Sequence, residues 1–128
     1  MYAELTYTLL IKNDSGSVIT TEPPIAITIE KDELTEKGIL DITLAAAAAD
    51  VEQAFSNVDN ANLLYILTTE DITFKKNSDT GEVQYIVADK KAGTTKYGIC
   101  LMTTSGITKL YLSNAGTASA NVKIIFAS

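Results

Sequence analysis

Apolar residues recur along this chain in short runs, most of them alternating with polar ones, and turn-forming residues separate the runs. Leu5, Tyr7, Leu9 and Ile11 alternate with Glu4, Thr6 and Thr8, so Tyr2–Lys12 reads as a half-buried strand. Asn13–Ser17 then supplies Asn, Asp and Gly, which tolerate positive φ or cap their own backbone, and Val18–Thr21 returns as the second arm of a hairpin. Pro23 and Pro24 remove two ladder donors and place this region at a sheet edge or corner. Ile25, Ile27 and Ile29 alternate with Ala26, Thr28 and Glu30 to give another strand. Asp32–Gly38 reads as a charged loop, and Ile39–Leu44 as a strand with Ile42 and Leu44 on one face.

The second half repeats the theme. Leu63–Leu67, Val83–Ala88, Tyr97–Met102, Ile107–Leu112 and Val122–Ala127 are too short for typical helices and rich in Ile, Tyr, Val and Thr; Ile72–Lys75 adds a further strand. The turns between them fall at Asn77–Gly81, Lys91–Thr95 and Ser113–Ser119. One passage breaks the pattern. Ala is the best helix former, and Ala47, Val51, Ala54 and Phe55 keep helical spacing, so a short helix is expected over 46–55. The competing reading is a tightly packed extended crossover, because so short a helix gains little from propensity alone.

These elements predict an all-β chain: an antiparallel β-sandwich, jelly-roll-like, of about nine or ten short strands with one short helix. A partly closed barrel is the alternative. The expected core comprises Leu9, Ile11, Ile27, Ile29, Ile42, Leu44, Phe55, Leu64, Ile66, Ile86, Ile99, Leu101, Leu110, Leu112, Ile124 and Phe126. With 128 residues the chain has the size of one domain, 1–128, and can bury a core without staples. Its single cysteine, Cys100, excludes an internal disulfide framework. No secretory leader or membrane-spanning run is read in it.

Charge narrows the chemistry. The net charge is −6, all ten basic residues are lysines, and there is no Arg, His or Trp. Nucleic-acid faces rely on cationic stripes, usually with Arg forks, whereas the doublets Lys75–Lys76 and Lys90–Lys91 sit beside turns and read as solvated charges. Neither nucleic acid nor membrane is expected as a partner. Without His, acid–base work at neutral pH would need a retuned carboxylate, Lys or Tyr.

No residue is assigned a catalytic, cofactor-binding or metal-ligating role, and no cofactor is expected. Cys100 lies in an apolar run with no base to make it a thiolate and reads as structural. Asn13–Ser17 and Asn77–Glu82 are acidic enough to attract a cation. However, aligning Gly81 with the calcium-loop glycine puts Lys76 where the first Asp belongs, so both read as plain turns. Asn13-Asp14-Ser15 matches a glycosylation acceptor but has no leader to give it meaning. The six tyrosines are dispersed over the strands, which favours sheet-face positions over an aromatic platform for sugars. Seventeen threonines suit solvent-facing strand positions and leave few charges to block lateral pairing, so contacts with other copies through a Thr-rich sheet edge or the loops are expected.

Three segments of the carboxy-terminal half resemble small tailed-phage virion proteins. They are Asn62–Leu67 followed by Glu70–Asn77, then Ile107–Gly116, and finally Ala120–Ala127. In such proteins a strand is followed by a second β-rich strand and an Asn-containing turn. A Leu-aromatic-Leu-Ser/Thr-Asn strand comes later, and after a small-residue loop a last apolar strand. The resemblance covers residues 62–127 and carries over no functional residues. It implies a non-enzymatic structural component of a bacteriophage virion: a capsid decoration, minor head, adaptor or tail-associated protein made in the host cytoplasm. Its expected partners are other virion proteins, with many copies on one assembly. The alternative is a glycan- or cell-surface-binding β-sandwich module.

Overall fold

The computed structural model describes residues 36–88 and 97–128 completely, and only the backbone of 3–7, 10–12, 18–21 and 25–29, with Ser15 between them. The chain divides into two compact units, Met1–Leu34 and Thr35–Ser128. In the first, β1 (Ala3–Tyr7) pairs antiparallel with β4 (Ile25–Ile29), and β2 (Leu10–Lys12) with β3 (Val18–Thr21). The hairpin expected around Asn13–Ser17 therefore forms. Within the strand expected over Tyr2–Lys12 two segments are described, Ala3–Tyr7 and Leu10–Lys12, each with its own partner, and residues 8 and 9 lie outside the described residues. The prolines and the Asp32–Thr35 part of the charged loop lie outside the described residues, as do the side chains of Leu9, Ile11, Ile27 and Ile29.

The second unit holds eight strands: β5 (Lys37–Leu44), β6 (Ala48–Ala54), β7 (Ala61–Thr68), β8 (Ile72–Lys76), β9 (Gln84–Ile86), β10 (Gly98–Ile107), β11 (Lys109–Asn114) and β12 (Ala120–Ala127). They form two four-stranded antiparallel sheets, ordered β10-β7-β12-β5 and β6-β11-β8-β9. Every connection crosses from one sheet to the other except β8 to β9. The sandwich is thus built of eight strands rather than the nine or ten expected.

No helix occurs among the described residues, and the one expected over 46–55 is a turn and a strand. Ala48–Ala54 pairs along β11, from Lys109↔Ala54 to Asn114↔Ala48. Ala47 (φ 55°) and Asp50 (φ 49°) both take left-handed backbone conformations that an α-helix excludes. Ladder bonds to a whole neighbouring strand outweigh the few tenths of a kcal/mol per residue by which Ala favours helix. The segment is extended, as the competing reading had it, but it is a paired and largely exposed edge strand rather than a tightly packed crossover.

The core lies between the sheets. Leu44, Leu64, Ile66, Val122, Ile124 and Phe126 from the first sheet meet Ile72, Phe74, Ile86, Leu110 and Leu112 from the second. Val58, Ala61 and Ile107 close one flank, and Phe55 stacks on Phe126 with ring centroids 4.0 Å apart. Burial alternates along β8, β11 and β12 as a one-sided strand requires. Gly98 marks where the two sheets approach at their β9 and β10 edges, since a Cβ there would lie 2.8 Å from Ile86 Cγ2 and 3.0 Å from the Val87 carbonyl.

The expected core is corrected on β10. Cys100 and Met102 pack against the core, whereas Ile99 is 62% exposed and Leu101 half-buried on the other face. Tyr97–Met102 is apolar at both parities, so its sequence alone does not say which side turns inward.

Candidate functional site

The outer faces of the two sheets differ in kind, and this difference defines the surfaces that can do work. On the β6-β11-β8-β9 sheet, Glu52, Tyr111 and Lys75 lie opposite one another across three strands. Tyr111 Oη donates to Glu52 Oε2 (2.9 Å), Lys109 Nζ to Glu52 Oε1 (3.3 Å) and Lys75 Nζ to Asp50 Oδ1 (2.8 Å). Asp50 N donates to Ser113 Oγ at 2.8 Å. Charge here is paired within the molecule and stays in water.

The Tyr111 hydroxyl, with Lys109, holds the Glu52 carboxyl below its ordinary value, and the Glu52 partner raises the Lys109 ammonium. A depressed carboxylate contributes its stabilisation above the ordinary carboxylate pKa and loses it as pH falls through the folded-state value. Tyr111→Phe removes the leading hydrogen bond, so the Glu52 titration midpoint is expected to rise. Carboxyl NMR against pH reads this directly, and an unmoved midpoint would refute the assignment.

The turn weighed as a cation loop is filled from within. Asn77, at φ 61°, accepts from Thr108 N (2.9 Å) and donates to the Gly106 carbonyl (2.8 Å), tying the β8–β9 turn to the β10–β11 corner. Lys75 Nζ takes the Asp79 carbonyl at 2.6 Å, so an ammonium occupies the oxygen a metal ion would need. Of Asn13–Ser17 only Ser15 is described, and Lys90–Lys91 lie outside the described residues. Among the described residues no three His, Cys, Asp or Glu side chains gather as a metal site.

Cys100 is half-buried against the core, and burial pushes its thiol above the ordinary value, with Lys76 opposing. It has no nucleophile's setting. Cys100→Ala is expected to fold and associate as the parent does. Cys100→Ser should cost about 1–2 kcal/mol more, because its hydroxyl enters an apolar contact. Denaturant melts check the order, and loss of function by a normally folded Cys100→Ala would overturn the structural role.

The outer face of the β10-β7-β12-β5 sheet is apolar at its centre. Leu101, Tyr65, Ile125 and Ile39 stand directly opposite one another across all four strands. The next outward row runs Ile99, Leu67, Lys123, Asp41. Ile39 is 58% exposed, at the opposite edge of the sheet from Ile99. Beyond these rows a groove of about 450 Å³ opens, lined by Tyr97, Leu67, Thr69, Asn121, Thr43, Asp41 and Lys123 among others.

Sequence reasoning missed this face, although a signal was present. A strand with one wet face alternates, whereas Leu63–Leu67 and Ile99–Met102 do not, and an apolar run on both parities marks a strand with both faces covered or meant to be. The expected Thr-rich edge is only partly realised: Thr43 and Thr103 are exposed on β5 and β10, beside the exposed Ile39 and Ile99. The tyrosines do not gather. Tyr85, 77% exposed, lines a separate groove of about 220 Å³ with Thr73 and Ser113 on the other sheet, while Tyr97 lines the larger one.

No protein-family model matches the chain, and no curated protein matches it. Among solved structures it is similar to the cupin domain of Schizosaccharomyces pombe Cnp3, at 10% identity and a TM-score of 0.45, covering 98% of this chain and 83% of that one. No helix among the described residues is long and apolar enough to cross a membrane.

Proposed function

We propose that this chain is a non-enzymatic structural component of a bacteriophage virion, binding other virion proteins as one of many copies. The observation that carries the reading is the four-residue apolar row Leu101–Tyr65–Ile125–Ile39 on one sheet's outer face, set against the ion-paired face of the other. Soluble proteins that expose contiguous apolar surface generally use it against a partner. A partner matched to this face is a protein, because the surface offers aliphatic and aromatic contacts edged by one Lys and one Asp, not a cationic stripe.

Two further features support it. The strand orders, with seven sheet-crossing or hairpin connections around one core, are those of a double-sheet jelly roll, an architecture used in capsid shells as well as in other roles. The segments that carry the resemblance fall mainly on β7, β8, β11 and β12, strands that supply much of the core. Decoration, minor head, adaptor and tail-associated positions all fit this reading, with synthesis in the host cytoplasm and final residence in the particle. Neither nucleic acid nor membrane enters it.

Co-purification with assembled particles at moderate salt, alongside light scattering of the isolated chain, tests the proposal. The parent is expected to travel with particle protein, and the Ile39→Lys/Ile99→Lys double variant to lose at least about tenfold in association while melting like the parent. A chain that never joins any protein assembly, or that binds DNA with a steep salt dependence, would overturn it.

A further inference from the structure

We propose that the groove beside Tyr97 is a binding site for a neutral sugar ring, a function beyond the protein docking argued above. Its lining converges three kinds of group that such a ligand needs. Tyr97, 55% exposed and without a ring or cation partner among the described residues, offers an aromatic face against which the C–H face of a pyranose can stack. Leu67 adds apolar floor beside it.

The polar wall is made of hydroxyl and amide groups, which both donate and accept, as sugar hydroxyls do. Thr69 and Asn121 are fixed against each other: Thr69 N donates to the Asn121 carbonyl (3.1 Å), and Asn121 N donates to Thr69 Oγ1 (2.9 Å). Thr43 Oγ1 donates to Asn121 Oδ1 at a long 3.3 Å, which orients the amide. No described residue accepts from Asn121 Nδ2, so two donors remain for a ligand. All three side chains sit on or next to paired strands of one sheet, which holds the constellation before a ligand arrives.

Charge selects against anions. Lys123 and Asp41 face each other at 3.5 Å on the groove's rim, both well exposed, so the one cation present is neutralised by its neighbour. Neither Arg nor His exists in the chain to grip a phosphate or sulfate. The carboxylate stays available to accept from vicinal hydroxyls. The groove's volume of about 450 Å³ lies in the ordinary range for small-molecule sites.

The test uses the full chain, with maltotriose and triacetylchitotriose as neutral probes and sialyllactose as the anionic one. At about 10 mM, one or both neutral trisaccharides are expected to give saturation-transfer signals and to shift the Thr43 and Asn121 amides, consistent with millimolar affinity. Tyr97→Ala should weaken that binding about tenfold, and Tyr97→Phe, which keeps the ring, should hold it within about threefold. If Tyr97→Ala does not fold, Thr43→Val takes its place, removing a wall hydroxyl at an exposed position, with loss of binding expected again. Silence from both neutral probes, undiminished binding by the variants, or a response to sialyllactose alone would overturn the proposal.

Discussion

Phe126→Ala is expected to destabilise the second unit by about 3–5 kcal/mol, a large share of what a domain of this size possesses. The ring is buried on β12, the strand hydrogen-bonded to both β5 and β7, and it stacks on Phe55 with planes 12° apart. Directly opposite on β5 stands Gly38, and a Cβ there would fall on the Phe126 ring. The glycine is therefore required by close approach, not by backbone conformation. Gly38→Ala alone should cost about 1–3 kcal/mol through overpacking. In the Phe126→Ala background the same methyl enters vacated space and should cost little or even help, so the two changes are expected to be strongly non-additive. Urea unfolding of the four proteins measures the coupling. Additive costs, or a Phe126→Ala loss well under a kilocalorie, would show that the ring does not fill this space.

That contact illustrates what the sequence could and could not say. Phe126 was legible as core because Val122, Ile124 and Phe126 share one parity in an alternating run. Ile42 and Leu44 were legible for the same reason, and the structure turns both inward. Phe74 was overlooked: its strand is five residues long and ends in two lysines, so only Ile72 and Phe74 carry its periodicity, yet Phe74 is among the most buried large side chains. Val58 lies in the loop before β7 and Ala61 opens that strand, yet both are buried in the core although the polar residues around them carry no alternating pattern. Local pattern does not report such tertiary use.

The candidate surfaces were less legible still, for a physical reason. A docking face on a sheet is a row across strands, and its members are distant in sequence: Leu101, Tyr65, Ile125 and Ile39 come from four strands and align only through register. The Tyr97 groove gathers residues from β5, β7, β12 and two connections in the same way. Register depends on every ladder bond at once, so no window of sequence contains it. The polar face was hidden likewise, since Glu52 and Tyr111 are paired only because Ala48–Ala54 is a strand beside β11.

Asn114→Ala should be the most damaging change to a polar residue, at about 3 kcal/mol. The sequence places Asn114 in a turn beginning at Ser113, but it is the last residue of β11 and has no exposed surface. Its amide organises the turns beside it. Nδ2 donates to the carbonyls of Ala118 (2.8 Å), Ala45 (3.1 Å) and Leu44 (3.3 Å), while Oδ1 accepts from Gly116 N (3.0 Å). The same side chain thus ties the β5–β6 turn to the β11–β12 turn, which Ala47 N also bridges by donating to the Gly116 carbonyl at 3.1 Å. Alanine would leave three acceptors and one donor short of partners, each costing about 1–3 kcal/mol where water cannot reach and less where it can. Asn114→Asp is expected to be worse than alanine at neutral pH, because a carboxylate would face those carbonyls without a proton to share. Burial should raise that carboxyl's pKa in the folded state, so its relative stability would be greatest below the ordinary Asp value and lost as pH rises through the raised one. Urea midpoints at pH 4 and pH 7 separate the two variants. An Asn114→Ala loss under about 1 kcal/mol, or an aspartate variant indifferent to pH, would mean that the turns hold themselves without the amide.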